Sequence, residues 1–233
     1  MQKSLVAEIA DLRSEVKARN SKFWKMVDRV DRVNWSNDWD LWNALPDAAR
    51  TAFDEGVEVY SDDKASALAH FEASAALDNP VAMVLVGHLY ASGAGTARNM
   101  DRAIAFYRDA IDAGSWNATI WYAREMDILG HHDVAIETLE EGIEADHIPS
   151  FFWLAWLRYK RHRTRKTARA VLPLIEYAMQ HKHPGAMWLM GKLMMTGKLG
   201  LWRIPAGFRF AIRHGALLSV EEENCSDSPA SDG

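Results

Sequence analysis

The chain has 233 residues, of which 48% are hydrophobic and 25% charged, a composition typical of a globular protein and not of a disordered, collagen-like or membrane-spanning one. Its N-terminus lacks the apolar core of a signal peptide, and no apolar run reaches the roughly 18 residues that a membrane helix needs. The single cysteine, Cys225, excludes an internal disulfide, so we expect a cytoplasmic protein.

Residues 1–45 are predicted to form an N-terminal helical extension. Apolar side chains recur there with alternating gaps of four and three, interrupted at Arg19, which is the pattern of a heptad. Two interpretations stay open, a parallel coiled coil that makes a homodimer and a cap that packs back on the rest of the chain. The apolar positions are Leu5, Ile9, Leu12, Val16, Phe23, Met26, Val30 and Val33.

Three tryptophans, Trp35, Trp39 and Trp42, follow the heptads at spacings that place their rings on one helical face. Such a stripe is typical of a core contact, here one that shields the first repeat. Because tryptophan is also enriched in binding hot spots, a partner groove is the alternative. Next, residues 46–60 are interpreted as the last helix of a degenerate leading unit.

From Lys64 onward the chain repeats itself at shifts of 36, 32 and 36 residues. In each copy apolar columns at i, i+3 and i+7 predict a first helix, and small residues farther on predict a second helix packed closely against it. The predicted fold is therefore an all-α solenoid of stacked antiparallel helix pairs over residues 46–218. The units are about 64–99, 100–132, 133–167 and 168–205, with a partial unit at 206–218 in which Phe208, Phe210 and Ile212 seal the end.

The first and fourth units resemble the Sel1-like repeat, a relative of the tetratricopeptide repeat. The resemblance rests on the sequence of residues 86–95, VGHLYASGAG, and on the glycine-marked loops at Gly93–Gly95 and Gly197–Gly200. The second and third units depart from it, since Gly130 has no partner glycine. The resemblance implies a solenoid without catalytic residues or cofactor that binds other proteins as a scaffold or adaptor, often in bacterial signalling, envelope or assembly systems.

Charge is divided along the chain. Residues 1–150 hold 14 basic and 26 acidic side chains, whereas residues 151–219 hold 13 basic side chains and one acidic one. The densest basic run is predicted to occupy a loop between helices and the edges of that loop. Four interpretations compete: a solvated loop, an acidic protein partner, anionic lipid and, least favoured because no reader motif accompanies it, nucleic acid. The run comprises Arg158, Lys160, Arg161, Arg163, Arg165, Lys166 and Arg169.

Aromatic side chains supply the other candidate contacts. Trp121 and Trp153 belong to a column of the second helices whose other members are Leu85 and Leu189, and variation of this kind fits either a surface tuned to a partner or drift. Near the C-terminus, aromatic and basic residues alternate as they do in interfacial segments. The candidates for lipid or partner contact there are Trp202, Arg203, Phe208 and Arg209.

The sequence offers no catalytic or metal motif. The nine histidines lack zinc-ligand spacing, and His147 and His183 fall in one column that marks the turn between helices. The predicted function is a non-catalytic adaptor for a protein with an acidic surface; the alternative is a peripheral membrane accessory factor of an envelope or polysaccharide assembly complex. Residues 219–233 are predicted to be disordered, with the hypothesis that they fold over the basic run.

Overall fold

The computed structural model describes Val27, residues 37–211 and residue 213, and within that part of the chain all regular structure is helical. A short helix, α1 (Asp38–Asn43), precedes α2 (Asp47–Val59). Three helix pairs follow: α3 (Lys64–Ala75) with α4 (Pro80–Ser92), α5 (Met100–Asp112) with α6 (Trp116–Ile128), and α7 (His132–Glu144) with α8 (Ile148–Arg161). In the last pair the first helix is split into α9 (Arg165–Ala170) and α10 (Leu172–Gln180), which precede α11 (Pro184–Met195).

The turn between the two helices is built the same way in all four pairs. It contains one residue in the left-handed region, and Asp78, Asp146 and Lys182 occupy that position with φ of 59°, 56° and 62°, while the second pair has Gly114 with φ of 89°. A left-handed residue ends a helix by turning the chain sharply, and it favours glycine because a Cβ is crowded there. The chain therefore reverses direction within two residues.

The residue after the left-handed position is buried and caps the second helix. The Asn79 side chain accepts hydrogen bonds from the amides of Val81 and Ala82. His183 does the same with a ring nitrogen, since its Nδ1 accepts from the amide of Ala186 at 3.2 Å. These caps satisfy backbone donors that would otherwise be buried without partners. The four capping positions, Asn79, Ser115, His147 and His183, are each at most 2% exposed.

The core follows the columns that the sequence predicts. The middle column of the first helices, Phe71, Tyr107, Leu139 and Ile175, is at most 1% exposed. The small residues of the second helices allow the close approach, because a Cβ on Gly87 would lie 2.8 Å from the Tyr107 ring. Successive pairs then bury each other's apolar faces, and the predicted all-α solenoid is confirmed.

The loop within the basic run is short, and most of the run lies at the edges of that loop. Because α8 continues to Arg161 and α9 begins at Arg165, only residues 162–164 lie outside helices. Thr164 starts α9 as its N-cap and accepts a hydrogen bond from the amide of Thr167. The helix then breaks before Pro173, since proline has no amide hydrogen and clashes with the preceding turn. The basic side chains therefore sit mainly on two helix ends.

The N-terminal residues that the structure describes pack against the repeats. Val27 is helical and fully buried. The Asn37 amide nitrogen donates to the carbonyl of Gly114, and its oxygen accepts from the amide of Trp116. Trp42 packs edge-on against Phe53 with ring centroids 5.0 Å apart, as the shielding interpretation expects for that ring. All the predicted heptad positions, Trp35 and the side chain of Trp39 lie outside the described residues.

After α11 the chain forms a 3-10 turn, Leu201–Arg203, and residues 204–211 are helical. Gly207 lies directly against Met194 and Met195, and Phe210 approaches Gly191. Phe208, expected to help seal the end, is instead 56% exposed. Among the described helices none is both long and apolar enough to cross a membrane.

The turn geometry makes a prediction at Lys182. Substitution Lys182→Gly should raise the free energy of unfolding by about 0.5–1 kcal/mol, because glycine relieves the Cβ crowding at φ of 62° and loses part of that gain to its own backbone entropy. Lys182→Ala keeps the Cβ and should give no gain. Urea denaturation of the three proteins measures the effect, and equal midpoints for the glycine and alanine variants would contradict it.

Candidate functional site

The second helices of successive pairs lie side by side, with α4 against α6, α6 against α8 and α8 against α11. Because every unit has the same register, residues at equivalent positions line up across these helices. One such column is Leu85, Trp121, Trp153 and Leu189, which the sequence analysis singled out. The column three residues farther along each helix consists of His88, Arg124, Trp156 and Lys192.

Arg124 lies between two of the predicted tryptophans. Its guanidinium carbon is 5.2 Å from the ring centroid of Trp121 and 4.8 Å from that of Trp153. Both distances fall within the range in which a cation is attracted to an aromatic face. Trp153 is only 4% exposed and is part of the core, whereas Trp121 is half-buried and reaches the surface.

Lys192 repeats this arrangement one unit later. Its ammonium nitrogen is 5.2 Å from the Trp156 ring centroid and 4.5 Å from that of Trp188, and the two rings meet edge to face at 5.5 Å. Burial lowers the pKa of Lys192, and the nearby charge of Arg163 lowers it further. We refer to Trp121, Arg124, Trp153, Trp156, Trp188 and Lys192 as the tryptophan–cation row.

Four of the six residues of this row, Arg124, Trp156, Trp188 and Lys192, are not among the contact residues that the sequence predicts, because that prediction rests on a single column of large residues. The signal was present, since a second helix exposes positions i and i+3 on one face and the shifts of 36, 32 and 36 residues bring His88, Arg124, Trp156 and Lys192 into register.

A cleft of about 440 Å³ opens beside the row, between α7, α8 and α9. Its apolar wall includes Ile136, Leu157 and Val171, and its basic rim includes Arg158, Arg161 and Lys166. We call this the basic cleft. A smaller pocket of about 280 Å³ lies next to it and is lined by Arg124, Trp153, Trp156 and Lys160. Because Asp127 and Leu157 line both cavities, the row and the basic cleft form one continuous surface.

Asp127 holds the junction of the two cavities together. Its carboxylate accepts a hydrogen bond from Lys160 at 3.0 Å and lies 2.8 Å from the ring Nδ1 of His132. Burial acts to raise the pKa of Asp127, but these two hydrogen bonds outweigh it and leave the pKa below its ordinary value. The group therefore stays ionised and fixes helices α6, α7 and α8 relative to one another.

The structure separates the predicted basic residues into different environments. Arg158 is paired with Glu140, and Lys160 with Asp127. Arg161 and Lys166 are exposed at the rim of the basic cleft, whereas Arg165 and Arg169 are exposed on α9 without lining it. Arg163 lies in the short loop close enough to act on Lys192. The run is thus partly neutralised within the fold and partly presented at the cleft.

The C-terminal candidates form a separate exposed patch. Leu201, Trp202 and Phe208 are 66%, 75% and 56% exposed, which is unusual for large apolar side chains. The Arg203 guanidinium carbon lies 4.7 Å from the Trp202 ring centroid, and Arg209 is exposed nearby in sequence.

Comparison with known proteins was made on sequence and on structure. No protein-family model and no curated protein matches the chain. The crystal structure of a Sel1 repeat protein from Oxalobacter formigenes matches with a TM-score of 0.59 and 18% identity, over 74% of this chain and 73% of that one. A protective antigen of uropathogenic Escherichia coli with the same type of repeat matches with a TM-score of 0.57 and 16% identity, over 70% of this chain and 38% of that one.

The chain has the Sel1-like repeat fold. The glycines on which the sequence resemblance rests have a structural role in it. A Cβ on Gly95 would lie 2.5 Å from the backbone of Lys64, so the loop after α4 touches the start of α3 only because no side chain intervenes. Gly93 and Gly95 also adopt positive φ of 74° and 79°, which favours glycine.

Within the described residues of this Sel1-like fold, the titratable side chains form no group of three that could hold a metal ion. The two histidines in one column occupy buried N-cap positions, and of the two only His183 accepts a hydrogen bond from a backbone amide with its side chain. His147 Nδ1 lies 2.9 Å from the Ser150 hydroxyl, and its ring packs 5.3 Å from that of Trp116.

The Asp127 junction gives a pH-dependent prediction. Because its pKa is lower in the folded protein, its contribution to stability is present above the unfolded pKa near 3.8 and is lost as the pH falls through the folded value. Asp127→Asn should therefore lower the unfolding free energy by about 1–2 kcal/mol at pH 7 and by much less at pH 3. Urea denaturation at both pH values measures this. Glu140→Gln, which breaks the more exposed pair with Arg158, should cost less than about 1 kcal/mol.

Proposed function

We propose that the chain is a non-catalytic scaffold or adaptor that binds a protein partner with an acidic surface. The observation that carries the proposal is the tryptophan–cation row. Tryptophan and arginine are the residues most enriched in binding hot spots, and here they are arranged in register over three adjacent helices. Side chains held this way lose little conformational entropy on binding.

The row and the basic cleft have different parts in this mechanism. The half-exposed rings of Trp121, Trp156 and Trp188 supply apolar contact area to the partner. The exposed cations at the end of α8 and the start of α9 attract acidic side chains, which orients the partner and speeds its association. Both parts lie on one continuous surface, so a single acidic segment can contact them together.

The biological setting is part of the proposal. Both solved structures named above come from bacteria, and one of them is a protective antigen present in uropathogenic strains. We infer a bacterial signalling, envelope or assembly role, with the chain in the cytoplasm. A homodimer through the heptads of residues 1–45 would double the binding surfaces.

Affinity capture from a lysate of the source organism tests the adaptor function. The full chain and its Trp121→Ala variant serve as bait, and captured proteins are identified by mass spectrometry. We expect a discrete acidic protein whose affinity for the variant falls at least about tenfold, because truncation removes a half-exposed hot-spot ring. Arg124→Gln should have a similar effect, since it leaves two rings without the cation between them.

The matched control is Trp202→Ala, which removes a more exposed tryptophan that does not belong to the row. Capture should be unchanged in this variant, and thermal unfolding of each bait excludes loss of fold. A partner that binds the full chain, Trp121→Ala and Arg124→Gln equally would show that the row is not the contact surface. Binding that is insensitive to salt between 50 and 300 mM would argue against the electrostatic part of the mechanism. Over that range the Debye length falls from roughly 14 Å to roughly 5 Å, so attraction between exposed charges should weaken.

A second candidate function is that of a peripheral membrane accessory factor of an envelope or polysaccharide assembly complex. The exposed patch of Leu201, Trp202 and Phe208 favours it, because apolar rings beside arginines suit the interface of an anionic bilayer. The patch is small and sits on a 3-10 turn and the start of a helix, and so its contact with lipid would be shallow.

Sedimentation with vesicles of phosphatidylglycerol and phosphatidylcholine separates the two functions. If the membrane function holds, the wild type sediments with the vesicles at 150 mM salt, and Trp202→Ala combined with Phe208→Ala lowers the bound fraction at least fivefold. Trp121→Ala should leave that fraction unchanged. Wild-type protein that stays in the supernatant removes the membrane function and leaves the adaptor untouched.

A further inference from the structure

The basic cleft combines two chemistries that only a particular kind of ligand can satisfy together. Ile136, which is half-buried, and Leu157, which is 8% exposed, give it an apolar wall, while Arg161 and Lys166 at the rim are exposed cations. A purely acidic ligand would leave the apolar wall in contact with water, and a purely apolar one would desolvate the cations without pairing them. The cleft therefore fits an apolar side chain that is followed closely by carboxylates.

The chain itself carries a segment of this kind. Residues 217–223 read Leu217, Leu218, Ser219 and Val220 followed by Glu221–Glu223, the one place in the sequence with three consecutive acidic residues. Residues 219–233 contain five acidic side chains and no basic one, so the segment is opposite in charge to the rim of the cleft. Within seven residues the segment therefore offers apolar side chains followed by carboxylates, which match the apolar wall and the basic rim of the cleft.

The described part of the chain before this segment packs on the end of α11 that adjoins α8, the helix whose end lines the cleft. Lys192 near the end of α11 contacts the ring of Trp156 on α8 and lies near the charge of Arg163, so the two helices end side by side. The next helical residues, 204–211, pack on that same end of α11 through Gly207. The eight steps along the chain from residue 213 to Glu221 span up to about 28 Å when extended. This distance is comparable to the width of two or three packed helices.

We propose that residues 217–223 occupy the basic cleft of their own chain, with the apolar side chains against Leu157 and the glutamates against Arg161 and Lys166. This contact does not depend on the adaptor function. The consequence for binding rests on the adaptor function, because an acidic partner would have to displace the segment. At an effective concentration of about 1 mM and an intrinsic dissociation constant of about 100 µM, the segment would weaken partner binding roughly tenfold.

The single cysteine allows a test on the full chain with its natural sequence. Cys225 lies two residues after Glu223, and a benzophenone maleimide attached to it can be activated by light to capture groups within roughly 10 Å. Mass spectrometry of the digested product then locates the cross-link. We expect cross-links in residues 157–171, in a product that runs as a monomer on a denaturing gel, with a yield that falls as salt screens the charges.

Two charge-reversal pairs make the test specific to the cleft. Arg161→Glu with Lys166→Glu changes two exposed cations at the rim and should lower the yield at least fivefold. Arg165→Glu with Arg169→Glu makes the same change in charge at exposed positions that do not line the cleft, and should lower it less than twofold. Replacing Glu221, Glu222 and Glu223 with glutamine should match the rim variant. Circular dichroism of each variant verifies that the fold is kept.

Other outcomes would overturn the proposal. Cross-links that map outside residues 157–171, or equal losses in both charge-reversal pairs, would mean that the segment is attracted only by overall charge. A product of dimer size would assign the cleft to the segment of a second copy. The adaptor function is judged separately, because Trp121→Ala lies outside the cleft and should leave the cross-linking yield unchanged.

Discussion

The fold depends on the turn between the two helices of each pair. A left-handed residue ends the first helix, and the next residue is buried as the cap of the second, so the direction of the second helix is set within two positions. The side chains at these positions differ between units, from Asp78 and Asn79 to Lys182 and His183, but the backbone geometry is the same. A cap accepts amide hydrogen bonds whether its acceptor is an amide oxygen, a hydroxyl or an imidazole nitrogen.

A constant turn has a consequence for the surface. Because the second helix of each pair leaves its turn in the same register, residues at a fixed distance in sequence from the cap align across the solenoid. Basic and aromatic residues that alternate in one column therefore also alternate along a row in space. Arg124 and Lys192 each lie between two tryptophan rings for this reason, although they are 68 residues apart in the sequence. The same register buries Trp153 and leaves Trp121 half exposed, so residues of one column differ in what they can contact.

The repeat period, the core columns and the turn positions could all be predicted from the sequence, because each is a local pattern repeated at a known shift. The column of His88, Arg124, Trp156 and Lys192 follows from the same shifts, but it was not predicted because only a single column of large residues was considered. The basic cleft could not be predicted from the sequence. It exists because Pro173 splits the first helix of the fourth pair and because Asp127 joins residues from three helices. Neither the angle at the helix break nor the contact between Asp127 and Lys160, which are 33 residues apart, produces a periodic pattern in the sequence.

The division of charge along the chain is also changed by folding. The basic run forms one block in the sequence, yet Glu140 and Asp127 from the acidic part pair with Arg158 and Lys160 at its start. What remains exposed is a narrower set of cations around an apolar wall, and this difference matters for recognition. A uniform basic block attracts any polyanion, whereas a few exposed cations beside an apolar wall would favour ligands that carry apolar and acidic groups at matching positions. In the binding mode proposed above, the paired residues would hold the cleft in shape and the exposed ones would supply the attraction.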